Sequence, residues 1–202
     1  MHRAFISTTI SVCMLYALSV GASGQVTPEV KTGSVDCVLN GLAISLDRET
    51  GGVTHLQYEG VETFLKASKE RAGLLDLAFP IPEFEPLRLA TRFSTGASVE
   101  ISGQSVVIAW EKLGSSRAFA LPGSVSATVE VRAATDGRSV ILTANIHNRS
   151  SLPIRQVMFP DLAGLVPFAG ADGTVFRTAG SVLRPFRDLQ TSDLDRFYAT
   201  NA

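Results

Sequence analysis

Apolar and polar residues alternate along most of this chain, and the clearest run begins at Val140. From Val140 to Ile146, apolar side chains fall mostly at every second position, which is the period of a strand with one buried face. Turn-forming residues follow at 148–153, where polar side chains can bond nearby backbone and proline fixes its own φ. Apolar residues resume over Ile154–Phe159 and stop at Pro160, which cannot donate to a hydrogen-bond ladder. This stretch predicts a strand, a turn and a second buried strand.

The same alternation occurs elsewhere in pairs of runs separated by turn residues, which is the pattern of β-hairpins. Asp136-Gly137 is the strongest turn signal, because glycine accepts the positive φ that a tight hairpin turn requires. The three predicted hairpins are Cys37–Leu46 with Val53–Tyr58, Val99–Ser102 with Ser105–Trp110, and Ser124–Arg132 with Ser139–Ile146.

Shorter pieces complete the prediction. Leu74–Phe79 reads as a strand, Leu87–Ser94 alternates again, and Val61–Lys69 fits either a short strand or a single helical turn. The piece Pro80–Pro86 contains three prolines, which favours an extended surface loop. No segment sustains the 3.6-residue period of a helix. The predicted fold class is therefore an all-β, antiparallel β-sandwich.

The first 24 residues have the layout of a secretory signal peptide. His2 and Arg3 form a short basic start, an uncharged and largely apolar run extends over residues 4–20, and small residues follow. Cleavage after Ala22 or after Gly24 fits this layout, and a retained membrane anchor is the alternative. We expect an exported protein, periplasmic or extracellular, and a bacterial source.

The remaining chain predicts one domain between two less patterned segments. Residues 25–34 are a flexible lead-in and residues 35–185 are the β-sandwich domain. Residues 186–202 are an unpatterned tail or the truncated start of a further segment.

Composition excludes several classes of partner. The chain has 18 Lys and Arg against 19 Asp and Glu, a formal net charge of −1, with the two signs interspersed. We therefore expect no nucleic-acid partner, and no membrane partner once the signal is removed. Cys37 is the single cysteine outside the signal, so the mature chain has no intrachain disulfide. Its apolar neighbours favour a buried thiol that packs as a small hydrophobe.

Several motifs follow one another in a familiar order. They are Leu39–Asp47, Thr50–Leu56 with Gly60, Val107–Glu111, Ile146–Ser150 with Pro153-Ile154, and Phe159–Leu165. This order resembles the galactose-mutarotase-like β-supersandwich domain that lies ahead of the catalytic barrel in many glycoside hydrolases. The resemblance extends over Val35 to Pro185.

The resemblance implies a carbohydrate context, with catalysis in a following (β/α)₈ barrel. Such a barrel takes about 250 residues, so we expect it outside this sequence. The two carboxylates of glycoside hydrolysis would lie on that barrel. We therefore predict no catalytic, cofactor-binding or metal-binding residue, and no cofactor, in this chain.

A few residues carry chemistry that competes with a structural explanation. His55 and His147 could act with a carboxylate in mutarotase chemistry, although polar strand positions explain both. Glu83 and Glu85 could form a carboxylate pair, because residues i and i+2 point the same way in an extended chain; a solvated loop face is the favoured explanation. Asp161 is expected to bond backbone within its turn.

Aromatic and basic residues are also ambiguous. Tyr58, Phe84 and Trp110 could stack on a sugar ring, but their positions favour packing in the core. The arginines of the last segment could bind anions or could simply be exposed; they are Arg177, Arg184 and Arg187. Asn148–Ser150 matches a glycosylation sequon, which matters only outside bacteria.

Three functions are consistent with this sequence. The first is an exported, non-catalytic β-sandwich domain that supports carbohydrate processing by a barrel. The second is a free-standing carbohydrate-binding or interaction module. The third is a mutarotase-like sugar epimerase that uses His55 or His147.

Overall fold

The computed structural model of the protein describes residues 7–12, 29–58, 63–80, 87–102, 104–117, 123–137, 139–166, 175–177 and 183–185. These residues form antiparallel strands in three sheets and a two-stranded ribbon. Their helical structure is a short 3₁₀ turn at Thr91–Phe93. The predicted all-β sandwich class is confirmed, whereas the likeness to a mutarotase-like domain stays a prediction. None of the helical structure described here is long and apolar enough to cross a membrane.

The first sheet contains five strands that are adjacent in chain order. They are β2 (Glu29–Lys31), β3 (Ser34–Leu39), β4 (Leu42–Asp47), β5 (Val53–Tyr58) and β6 (Thr63–Lys66). Apolar residues of β3 and β4 alternate between buried and less buried positions, as the sequence predicts for one-sided burial. The segment Val61–Lys69, for which the sequence allows either a short strand or a helical turn, contains the strand β6.

The expected continuous run Cys37–Leu46 is wrong, because a tight turn divides it between β3 and β4. Asn40 has φ 48° and Gly41 has φ 79°. Positive φ at both central residues is the geometry of the two-residue hairpin turn for which Asn-Gly is the preferred sequence. The Asn40 side-chain amide also donates to the carbonyl oxygens of Ala134 at 2.9 Å and Ser139 at 2.8 Å.

The second sheet contains the two other predicted hairpins, which are both confirmed. Its strands, in spatial order, are β1 (Ser7–Val12), β13 (Val140–Asn148), β12 (Val125–Ala133), β10 (Ser105–Trp110) and β9 (Ser98–Ser102). Strands β12 and β13 pair over nine residues with strict alternation of burial up to Ile146. Strand β1 comes from the predicted signal peptide, whose removal stays a prediction.

The third sheet has four short strands. In spatial order they are β11 (Gly114–Ser115), β8 (Leu87–Ala90), β7 (Asp76–Phe79) and β14 (Gln156–Met158). All four residues of β7 are buried. The strand expected over Ile154–Phe159 is shorter than predicted and is not fully buried, since β14 lies at the sheet edge. The ribbon pairs β15 (Val175–Arg177) with β16 (Leu183–Pro185).

One hydrophobic cluster unites the three sheets. Trp110 is 2% exposed within it, and its indole Nε1 donates to the carbonyl oxygen of Thr50 at 2.7 Å. This bond ties the end of β10 to the turn between β4 and β5. The Asn40 bonds tie a second turn of the first sheet to the β12–β13 turn. The sheets are therefore held together by both core packing and turn-to-turn hydrogen bonds.

Candidate functional site

A cleft of about 740 Å³ lies at one end of the third sheet. Its walls are the segment after β8, the connection from β10 to β11, and the start of β12. Leu89, Leu113 and Val125 line it with side chains that are buried in the core. The volume falls within the range of about 300–1,000 Å³ that is typical of small-molecule sites. We refer to this feature as the Phe93 cleft.

Phe93 is an exposed aromatic residue in the lining of this cleft. Its side chain is 39% exposed, which is unusual among the large apolar residues described here. It lies at the last position of the 3₁₀ turn Thr91–Phe93, which follows β8 directly. The guanidinium carbon of Arg92 lies 4.7 Å from the centroid of the Phe93 ring, which is a cation–π distance.

Hydrogen bonds fix the backbone that carries Phe93. The Thr91 hydroxyl oxygen accepts from the backbone N–H of Leu74 at 2.9 Å. The Ser94 hydroxyl donates to the carbonyl oxygen of Ala90 at 2.9 Å and accepts from the N–H of Gly114 at 2.8 Å. A Cβ atom at Gly114 would collide with the Phe93 backbone carbonyl, so only glycine allows β11 to approach this closely. The turn is thus held from both sides.

A network of buried charges lies behind the 3₁₀ turn. The Asp76 side chain is fully buried, and its Oδ2 accepts from Arg88 Nη2 at 2.9 Å and from Arg92 Nη2 at 2.6 Å. Arg92 Nη1 also donates to Asp161 Oδ2 at 2.5 Å. Among the residues that the structure describes, Asp76 Oδ1 is buried without a hydrogen-bond partner. The two Asp–Arg contacts of Arg92 hold its guanidinium beside the Phe93 ring.

Asp161 behaves differently from the prediction that it bonds backbone through its side chain. Its backbone N–H donates to Leu74, but its carboxylate binds Arg92. Burial raises the pKa of this carboxyl above its ordinary value, and Arg92 acts in the opposite direction. The charge network therefore fastens the FPDL segment, residues 159–162, to the 3₁₀ turn.

Polar groups of both signs surround the mouth of the Phe93 cleft. Glu111, Lys112 and Arg117 are exposed residues of its lining. Ser115, Ser124 and Thr95 add hydroxyl groups. Together they offer donors and acceptors around an apolar ring. Glu111 is the one carboxylate among the described lining residues, so the pair required for glycoside hydrolysis is not present there.

The other candidates from the sequence lie elsewhere. Tyr58 and Trp110 are core residues, as their alternation predicts. Cys37 is buried as predicted, and burial, followed by the nearby charge of Asp36, raises the pKa of its thiol to about 12. Glu83, Phe84, Glu85 and Arg187 fall outside the described residues, and only the backbone is described for Arg177 and Arg184.

Neither histidine lines the Phe93 cleft. His55 Nε2 lies 3.4 Å from both Gln57 Oε1 and Thr63 Oγ1, in β5 and β6. His147 is exposed on β13, opposite Ser126 of β12. The Asn148 side chain closes its turn, donating to Leu152 and accepting from Ser150. Within the residues described, no group of three His, Cys, Asp or Glu is placed to hold a metal ion.

The sequence itself carries a signal for this charge network. Asp76 is the single charged residue in the apolar run Leu74–Phe79. A charge in a buried strand requires a partner, because an unpaired one is too costly to bury.

Comparisons of the whole chain with protein-family models, curated proteins and solved structures found no match.

Proposed function

We propose that this chain is an exported, non-catalytic β-sandwich module that binds carbohydrate in the Phe93 cleft. The observation that carries the proposal is the exposed Phe93 ring in a cleft of ligand size. Carbohydrate is proposed as the ligand because of the order of motifs in the sequence. The size and lining of the cleft are compatible with such a ligand.

An exposed aromatic ring suits one face of a sugar. The C–H groups of a pyranose carry small positive partial charges, and the face of an aromatic ring is negative. The hydroxyl groups of the sugar need donors and acceptors at the ring's border, which Glu111, Lys112 and the cleft hydroxyls provide. The mixed charge of the border favours a neutral glycan over a strongly anionic one.

Binding fits this cleft better than hydrolysis does. Hydrolysis uses one carboxylate as acid and another as nucleophile or base, and the described lining contributes Glu111 alone. Mutarotase chemistry would need a histidine beside a carboxylate, and the contacts of His55 are an amide and a hydroxyl. Support of a catalytic barrel remains compatible with glycan binding, because such a module can present substrate to a neighbouring domain.

Binding can be tested by calorimetry with cellohexaose, xylohexaose, laminarihexaose and mannohexaose as probes. Phe93→Ala should weaken the observed binding about ten- to a hundredfold, because burying such a ring contributes about 1.5–3 kcal/mol and each 1.4 kcal/mol is a factor of ten. Phe93→Trp should retain binding. Leu165→Ala is the control, since Leu165 is another exposed apolar residue, outside the cleft.

Two results would refute the proposal. One is the absence of binding to all four glycans. The other is binding that Phe93→Ala leaves unchanged while the variant melts at the wild-type temperature.

A further inference from the structure

Strand β1 covers one edge of the second sheet. It pairs antiparallel with β13 over six residues, from Ser7 opposite His147 to Val12 opposite Leu142. On its other side β13 pairs with β12. The side of β13 that faces away from β12 can therefore pair with an antiparallel strand along most of its length.

The covering strand lies inside the segment predicted to be a cleaved signal. Cleavage after Ala22 or Gly24 would remove residues 7–12 and leave β13 as the edge of the sheet. The edge would then present a row of backbone N–H and C=O groups without partners, which is a template for pairing with another chain.

Strand β13 has none of the usual features that prevent such pairing. Over Val140–Asn148 it contains no Lys, Arg, Asp, Glu or Pro. Natural edge strands are protected by charges, prolines, bulges or short length, but β13 is nine residues long and pairs with β12 without a register shift. The opposite edge, β9, is five residues long and has the exposed Glu100 at its centre.

We propose that the processed chain forms a two-fold dimer in which β13 pairs antiparallel with β13 of a second copy. An antiparallel strand can pair with its own image about a two-fold axis, and a two-fold interface uses the same patch on both subunits. With the axis near Ala144, Leu142 lies opposite Ile146 of the second copy, and Ala144 lies opposite its own image on the core side of the joined sheet. For β9 the same arrangement would set Glu100 against its own image, and like charges directly opposite are destabilising.

The second copy is favoured over an unrelated peptide by the symmetry of the strand itself. Val140, Leu142, Ala144 and Ile146 alternate on the buried face on both sides of the centre. The strand therefore offers a similar pattern when read from either end, and no charge selects a different partner. Pairing would join two sheets into one continuous sheet and remove both edges.

The dimer can be tested on the full chain exported with its own signal in a bacterial host. Intact mass spectrometry identifies the processed N-terminus, and light scattering after size exclusion gives the native mass over a range of concentrations. We expect twice the chain mass, with slow hydrogen exchange at β13. A processed monomer would overturn the proposal, and so would a chain that retains residues 1–24.

A charge swap at Thr143 separates pairing from folding. Thr143 lies opposite Glu130 of β12, so a lysine there has an acidic neighbour within its own subunit. In the dimer, however, two such lysines would come within about 7–8 Å of each other as diagonal neighbours. Thr143→Lys should be monomeric, with at least tenfold weaker association than wild type. Thr143→Glu should also be monomeric, and because its carboxylate faces Glu130 within the subunit, its melting curve is measured to show that it is folded.

Mixing the two variants should restore a dimer that contains one copy of each, because opposite charges then meet across the axis. Glu100→Lys, a charge change on the other edge, should leave the dimer unchanged. If Thr143→Lys stays dimeric, if Glu100→Lys abolishes the dimer, or if the mixture stays monomeric, pairing through β13 is refuted.

Discussion

Replacement of Asp76 by asparagine tests whether the buried charge network stabilises the third sheet. The Asp76 side chain is fully buried and accepts three hydrogen bonds: from Arg88 Nε at 3.2 Å, from Arg88 Nη2 at 2.9 Å and from Arg92 Nη2 at 2.6 Å. Asparagine keeps the shape but loses the charge. Its NH₂ group would face either the guanidinium donors or the position of Oδ1, which has no partner among the described residues.

The expected cost follows from this geometry. Removal of one partner from a buried ion pair costs about 3–5 kcal/mol. The side chains of Arg88 and Arg92 are 32% and 22% exposed, so water can solvate them in part when the carboxylate is lost. We therefore expect Asp76→Asn to lower the free energy of unfolding by about 3 kcal/mol, at the lower end of that range.

Urea unfolding followed by tryptophan fluorescence measures this change, because Trp110 is the chain's single tryptophan and is buried in the core. The midpoint should fall while the slope with urea is retained. Glu100→Gln is the matched control, since it also converts a carboxylate to an amide but on an exposed strand. Its effect should stay within about 0.5 kcal/mol. An equally small effect of Asp76→Asn would refute the reasoning.

Three further outcomes can be checked with standard methods. Gly114→Ala should lower the melting temperature clearly, because its Cβ would collide with the Phe93 carbonyl; an unchanged melting curve would contradict the close approach. Cys37 should not react with a thiol reagent in the folded chain, since burial raises the pKa of its thiol to about 12. On denaturation one thiol should react if the signal is removed, and two if Cys13 is retained. Burial raises the pKa of Asp161 above 3.8, so the folded chain holds this proton more tightly than the unfolded chain. The stability that this group contributes should fall as pH rises through that raised pKa. Asp161→Asn should therefore make the urea midpoint less dependent on pH over the same pH range.

The hairpins were predictable because their signals are local. Alternation fixes which side chains face the core, and the Asp136-Gly137 turn fixes where the chain reverses. The Asn40-Gly41 turn has an equally local signal. The predicted continuous run Cys37–Leu46 overlooks a change of phase at this turn, because the buried apolar residues are Cys37 and Leu39 before it and Leu42, Ile44 and Leu46 after it.

The candidate site was less predictable because it depends on distant contacts. Alternation predicted that Leu87–Ser94 continues as a strand, whereas a 3₁₀ turn at Thr91–Phe93 points Phe93 outward instead. That turn is fixed by Asp76 and Asp161, which lie 16 and 69 residues away from Arg92 in sequence. No local pattern specifies such partners.

The Asn40 side chain links parts of the chain that are far apart in sequence. It joins two hairpin turns, with bonds that span 94 and 99 residues of sequence. Each hairpin closes a short loop and can form early, whereas contacts between distant segments form at a larger entropic cost. We therefore expect these bonds to form after the folding transition state. Loss of the Asn40 amide would then speed unfolding and leave the folding rate nearly unchanged. Loss of this amide would then shorten the lifetime of the docked sheets, and with it the resistance of the native chain to proteases whose cleavage outpaces reclosing.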